Sequence, residues 1–111
     1  MAISISIFIL GAALRVAAFL SPRSFWGDEW SAIEYIRLPF WECLRTTVLD
    51  THPPLYYALG HFSYHFLGNN DLAYRLPSLA AGILTPIAVY LAAQELFDKK
   101  TARLALFFAA I

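Results

Sequence analysis

Apolar residues run almost unbroken from Ile3 to Leu20, ISISIFILGAALRVAAFL, and again from Leu76 to Phe97, where no charge appears before Glu95. Each run approaches the ~20 residues that a helix needs to cross the hydrocarbon of a bilayer. The pattern therefore predicts two membrane spans, over about 3–20 and 76–97, the second kinked at Pro86. A cleaved signal peptide is the rival for the first run. It would want a positively charged start, and no charged side chain precedes Ile7; Arg15 inside the run also argues against cleavage. A retained helix is the reading.

Between the two runs the pattern shortens. Pro22 stops the first helix. Trp30, Ile33 and Ile36 share one side of a short helix predicted from Glu29 to Arg37, which Pro39 ends by restricting Leu38. Phe40, Leu44 and Val48, spaced by four, predict a second short amphipathic helix over 40–49. Pro53 and Pro54 open a third, since proline is tolerated in the first turn, and Gly68, Asn69 and Asn70 end it. Its apolar stretch, Leu55 to Leu67, is too short to span. Leu55, Leu59, Phe62 and Phe66 fall on one face, and Tyr57, His61, Tyr64 and His65 on the other. That pattern suits a helix lying in the membrane interface. The fold class is all-α: a multi-pass helical membrane protein with interfacial helices in its first outward loop.

After the second run, DKKTAR places Lys99, Lys100 and Arg103 in a short loop. Basic residues concentrate on the cytoplasmic side. Residues 98–103 are thus expected inside, the loop 21–75 outside and the N-terminus inside. Had residues 55–67 also crossed, Asp28 would lie inside; the shortness of that stretch decides against it. LALFFAAI, from Leu104 to Ile111, begins a further apolar segment of only eight residues. The expectation is that residues 1–111 form the N-terminal part of a longer membrane enzyme and are inactive alone.

Composition agrees with a membrane setting. Of the 111 residues 59% are hydrophobic and 14% charged, against roughly 25% charged in soluble domains, and the mean hydropathy is +0.57. Net charge is zero and there is no basic run, so no nucleic-acid partner is expected. One cysteine, Cys43, excludes an internal disulfide and a cysteine-rich metal site, and is read as a small buried residue.

The candidate chemistry sits in FWGDEWSAIEYIR, where Asp28 and Glu29 stand between Trp26 and Trp30 just beyond the first span. Asp28 has two readings. It can cap the helix that follows, with Glu29 favouring the helix dipole. Or it is a base at the membrane surface, made more basic by burial beside the two tryptophans. His52 either makes a hydrogen bond at a loop-to-helix joint or contacts a phosphate or a neighbouring carboxylate. His61 and His65, four apart, share a helix face as metal ligands can, but the surrounding tyrosines suit an interface belt better, and no metal site is assigned. Arg15 either snorkels or faces an anionic ligand. Arg75 snorkels at the start of the second span or meets a phosphate.

Taken in order, a first span with its arginine, WGDEWSAIEYIR, DTHPPLYYALGHFSYHFLG, LAYRLPSLAAGIL and LFDKKTARLALFFAA resemble the N-terminal part of the GT-C superfamily of membrane glycosyltransferases. The closest look-alikes are the protein mannosyltransferase and aminoarabinose transferase families and the bacterial RgtA/B/C/D-like group. The resemblance covers about Leu14 to Ile111. It implies a cell-membrane enzyme that takes a sugar from a polyprenyl-phosphate donor, its active face outward. It further implies that Asp28 is the catalytic base, with Glu29 its neighbour in acceptor or metal contact. His52, Arg15 and Arg75 are then the candidate substrate contacts, and a divalent metal is left open. The alternative is a small non-catalytic membrane protein that binds lipid-linked sugar without transferring it. A transporter fragment is a third reading, disfavoured because only Arg15 and Glu95 are ionisable within the spans.

Overall fold

The computed structural model describes residues 2–22, 24–50 and 52–111. Its helices are α1 (Ala2–Leu20), α2 (Gly27–Arg37), α3 (Phe40–Leu49), α4 (Pro54–Leu67), α5 (Asp71–Leu96) and α6 (Lys99–Ala110). They divide into two packed units, Pro22–Pro77 and Met1–Ser21 with Ser78–Ile111. Two helices, α1 over Ile3–Leu20 and α5 over Asp71–Leu96, are long and apolar enough to cross a membrane.

In the unit Pro22–Pro77 the core is Ile33, Ile36, Cys43, Tyr57 and Tyr74. Ile33 and Ile36 are buried as their spacing predicts, while Trp30 stays 52% exposed against the edge of the Phe25 ring. The inward face of α3 is turned by about one residue from the predicted one. Cys43 and Thr47 are its buried residues, and Val48 is 59% exposed. Thr47 tolerates burial because its hydroxyl bonds the Cys43 and Leu44 carbonyls, each at 3.0 Å. Burial pushes the Cys43 thiol pKa up, as suits a packing residue.

Of the polar-aromatic face predicted for α4, Tyr57 and His61 turn inside, Tyr64 is half-buried and His65 is exposed. Tyr57, Gly60, His61 and Ser63 are buried, whereas Leu55, Leu59, Phe62 and Phe66 are exposed. The polar groups go in because each finds a partner: His61 Nδ1 donates to the Ile36 carbonyl at 3.0 Å, and Ser63 Oγ donates to the Ala73 carbonyl at 2.6 Å. Tyr64 stacks on Tyr74.

Helix α5 begins at Asp71, five residues before the predicted start, because Asn70 initiates it. The Asn70 Oδ1 accepts from the Ala73 amide at 2.9 Å, and its Nδ2 donates to the Leu67 carbonyl that ends α4 at 2.7 Å. Gly68 makes the turn between them with φ +83°. The helix continues through Pro77 and Pro86. A proline in a helix withholds the amide that would bond the carbonyl four residues earlier. For Pro77 that carbonyl is Ala73, the one Ser63 bonds. Ser63→Ala is therefore expected to cost about 1–3 kcal/mol, the penalty of a buried acceptor left unmade. In a Pro77→Ala background, which restores the amide, the same change should cost markedly less. Thermal unfolding of the four proteins of this cycle measures it.

In the other unit α1 and α6 run parallel. Ile3 and Ile7 share a groove with Leu104 and Phe107, and Gly11 meets Ala110. A Cβ at Gly11 would stand 2.7 Å from the Ala110 Cβ, so this close approach requires glycine. DKKTAR is not a loop, contrary to its sequence reading. Asp98 is the N-cap of α6, its Oδ1 accepting from the Lys100 and Thr101 amides at 2.8 and 2.7 Å, so Lys99 to Arg103 are helical. The backbone bond from Thr101 above all holds the Asp98 carboxyl below its ordinary value of 3.8. A depressed carboxyl contributes stability that is present above the ordinary value and lost as pH falls through its folded pKa. The Asp98 resonance is expected to titrate below 3.8, with α6 fraying at its start in step; titration at or above that value would contradict the cap.

Candidate acidic site at the start of helix α2

The chain enters α2 through Trp26, whose extended backbone (φ −78°, ψ 165°) makes it the N-cap. Asp28 and Glu29 then fall in the first turn, where the positive end of the helix dipole favours carboxylates. The residue that caps is Glu29 rather than Asp28. Its Oε2 reaches back to accept from the Trp26 amide at 3.1 Å, the N3 half of a capping box. The same oxygen lies 3.5 Å from an Arg75 guanidinium nitrogen. The Arg75 guanidinium in turn sits 4.5 Å from the centre of the Phe25 ring, a cation–π contact. Glu29 is thus held from two sides.

Asp28 is the contrast. It is exposed, and among the described residues it has no hydrogen-bond or ion-pair partner. The burial expected beside the tryptophans is absent, since Trp26 is 82% exposed and Trp30 52%. Beside Glu29 lies a small cleft of about 20 Å³, lined by Phe25, Glu29, Tyr56, Tyr74 and Arg75 among others. Its far wall is braced by Arg37, whose Nε donates to the Tyr74 hydroxyl and whose second nitrogen donates to Asn69 Oδ1, both at 2.9 Å.

His52 has a neighbouring carboxylate. Its Nδ1 lies 2.8 Å from the Asp50 main-chain oxygen and 3.4 Å from Asp50 Oδ2. The Tyr35 hydroxyl donates to that Oδ2 at 2.8 Å, and this bond pushes the Tyr35 pKa up. The Tyr57 ring stands edge-on to His52, with centres 5.9 Å apart. Sequence reading passed over Asp50 and Tyr35. The Asp-x-His spacing was the available signal for Asp50; Tyr35 had none, because it comes from another helix.

The remaining candidates are committed elsewhere. His61 and His65 rings lie 4.3 Å apart, but each spends its Nδ1 on a main-chain carbonyl. Arg15 belongs to the other unit, where it donates to the carbonyls of Gly11, Ala109 and Ala110. Asp28, Glu29, His52 and Arg75 all lie in Pro22–Pro77; within it Glu29 meets Arg75, and His52 meets Asp50.

No curated protein and no solved structure matches this chain. A family model described as dolichyl-phosphate-mannose-protein mannosyltransferase matches residues 51–111, which include His52 and Arg75 and exclude the acidic pair. That match spans more than half of the 111 residues, and the chain belongs to the dolichyl-phosphate-mannose-protein mannosyltransferase family.

Proposed function

We propose that this chain contributes the acceptor-side outer face of a membrane glycosyltransferase, one that moves a sugar from a polyprenyl-phosphate donor to an acceptor hydroxyl with Asp28 as base. The observation that carries the assignment is the unequal engagement of the two acids. Glu29 is spent on the Trp26 amide and Arg75, while Asp28, one residue away, is exposed and without a hydrogen-bond or ion-pair partner among the described residues. A base must have its carboxylate available to the proton it removes.

The chemistry suits a membrane boundary. The phosphate of a lipid-linked sugar rides at the bilayer surface, so its anomeric carbon lies just outside the hydrocarbon. The acceptor oxygen forms a bond to that carbon as the carbon–oxygen bond to phosphate breaks. The electron pair leaves with the phosphate, and the hydroxyl proton passes to Asp28. One direct displacement inverts the anomeric centre. In this reading α1 and α5 cross the membrane, and α2 to α4 form the outward loop. The exposed Leu55, Leu59, Phe62 and Phe66 of α4 then lie in the lipid boundary, which explains why Tyr57 and His61 turn inward.

Two experiments test this. Membranes carrying the enzyme to which this chain contributes, given a radiolabelled polyprenyl-phosphate sugar, should release the polyprenyl phosphate as the label passes to a hydroxyl-bearing product; an intact donor would overturn the reading. In a Cys43→Ala background, a membrane-impermeant maleimide applied to intact cells should label Asp28→Cys and spare Lys99→Cys. The reverse pattern would put the acidic pair on the wrong side.

A further inference from the structure

We infer that Tyr35, Asp50 and His52 form an acceptor-hydroxyl subsite, in which His52 Nε2 receives a hydrogen bond from the attacking substrate. The inference rests on the proposed transfer reaction and assigns His52 to the acceptor rather than to the donor phosphate. The argument is one of tautomers. His52 Nδ1 lies 2.8 Å from the main-chain oxygen of Asp50. A carbonyl oxygen can only accept, so Nδ1 carries the proton. In the neutral ring, Nε2 is then a lone pair. It has no partner among the described residues, and the side chain is 51% exposed. A lone pair needs a donor. A phosphate diester has no proton to offer, whereas a hydroxyl has.

The ring is also held. Asp50 is itself fixed by the Tyr35 hydroxyl at 2.8 Å, and Tyr57 stands edge-on against the imidazole. Tyr35 ties this group to the acidic site. It lies seven residues after Asp28 on α2, two turns on and on the same face, about 10 Å along the axis at 1.5 Å per residue. One face of α2 thus carries Asp28 at its start and, through Tyr35, sets His52 near its end. Asp50 and Tyr35 are positioning residues here, and His52 is the group that touches substrate.

Histidine-selective ¹⁵N NMR of the whole chain in detergent micelles reads the tautomer directly, with glycerol as hydroxyl probe and dimethyl phosphate, a proton-free diester, as the competing probe. The expected result is a protonated Nδ1 and a bare Nε2 at His52, with the Nε2 resonance moving on glycerol and not on phosphate. Asp50→Ala keeps the main-chain oxygen that His52 bonds and removes the carboxylate that Tyr35 holds, so it should loosen the ring and weaken the glycerol response by about twofold to tenfold, with Tyr35→Phe acting in the same direction. His52→Gln identifies the resonance. A response to phosphate alone, to neither probe, or one unchanged in Asp50→Ala overturns the inference. Asp28→Asn should leave the glycerol response intact, so a failure of Asp28 as the base shows in donor turnover and not in this spectrum.

Discussion

Asp28→Asn is expected to lower sugar transfer by about 10²–10⁴-fold, the usual contribution of a positioned base, while leaving the protein in the membrane with its helices intact. Asparagine keeps the size of the side chain and loses its charge and its ability to take a proton. Because Asp28 makes no hydrogen bond or ion pair among the described residues and Trp26, not Asp28, is the N-cap, the structural cost is confined to a first-turn charge on the helix dipole, about 0.3–1 kcal/mol. Glu29→Gln makes the necessary comparison. Glutamine can still accept from the Trp26 amide, as glutamate does at 3.1 Å, because both residues serve at that place in a capping box. It gives up the charge opposite Arg75. Its effect on transfer is expected to be smaller than that of Asp28→Asn and to come with a lower unfolding temperature. Donor turnover and thermal unfolding, measured on both variants, separate the roles. Equal loss of transfer in the two, or near-native transfer in Asp28→Asn, would remove Asp28 as the base.

That contrast also shows what the sequence could and could not tell. The helices of the loop were legible because their punctuation is local: Pro39, Pro53, Gly68 and Asn70 each act within a turn of themselves. The two faces of α4 were legible too, since a helical period sorts side chains without reference to neighbours. Which face would be buried was not legible, because burial of His61 and Ser63 depends on carbonyls of Ile36 and Ala73 that only the fold supplies. The early start of α5 escaped for a related reason. A hydropathy run marks where lipid-compatible residues begin, whereas the helix begins where Asn70 can accept from Ala73. At the candidate site, the adjacency of Asp28 and Glu29 was visible, and their division of labour was not. Glu29 is drawn off by Arg75, 46 residues away along the chain, and no local pattern announces such a pair. Arg15 could be read as a lipid-facing or ligand-facing charge from its place in an apolar run; beyond Gly11 in its own helix, its carbonyl partners Ala109 and Ala110 come from α6.

Gly60→Ala is expected to destabilise the unit Pro22–Pro77, and its sign makes it a sharp test of the packing that holds α2 against α4. On an open helix surface the change would stabilise by about 1 kcal/mol, since alanine is the better helix former. Here a Cβ would stand 2.5 Å from Ile36 Cδ1 and 3.0 Å from its Cγ1. Ile36 is 1% exposed and packed in the core of this unit. Overpacking a filled core costs about 1–3 kcal/mol, enough to reverse the propensity gain. The offending atom can be removed by itself: Ile36→Val deletes Cδ1, at a cost of about 0.5–1.5 kcal/mol alone. The double variant should therefore be more stable than the sum of the two single changes, with a coupling energy of the kind touching residues show. Because Ile36 also carries the carbonyl that His61 bonds at 3.0 Å, a core that yields instead of clashing would shift α2 and disturb that bond. Unfolding measurements on the four proteins decide between these outcomes. Additive effects, or a stabilised Gly60→Ala, would mean that α2 and α4 do not approach as closely as the glycine implies, and the frame that presents Asp28 would have to be redrawn.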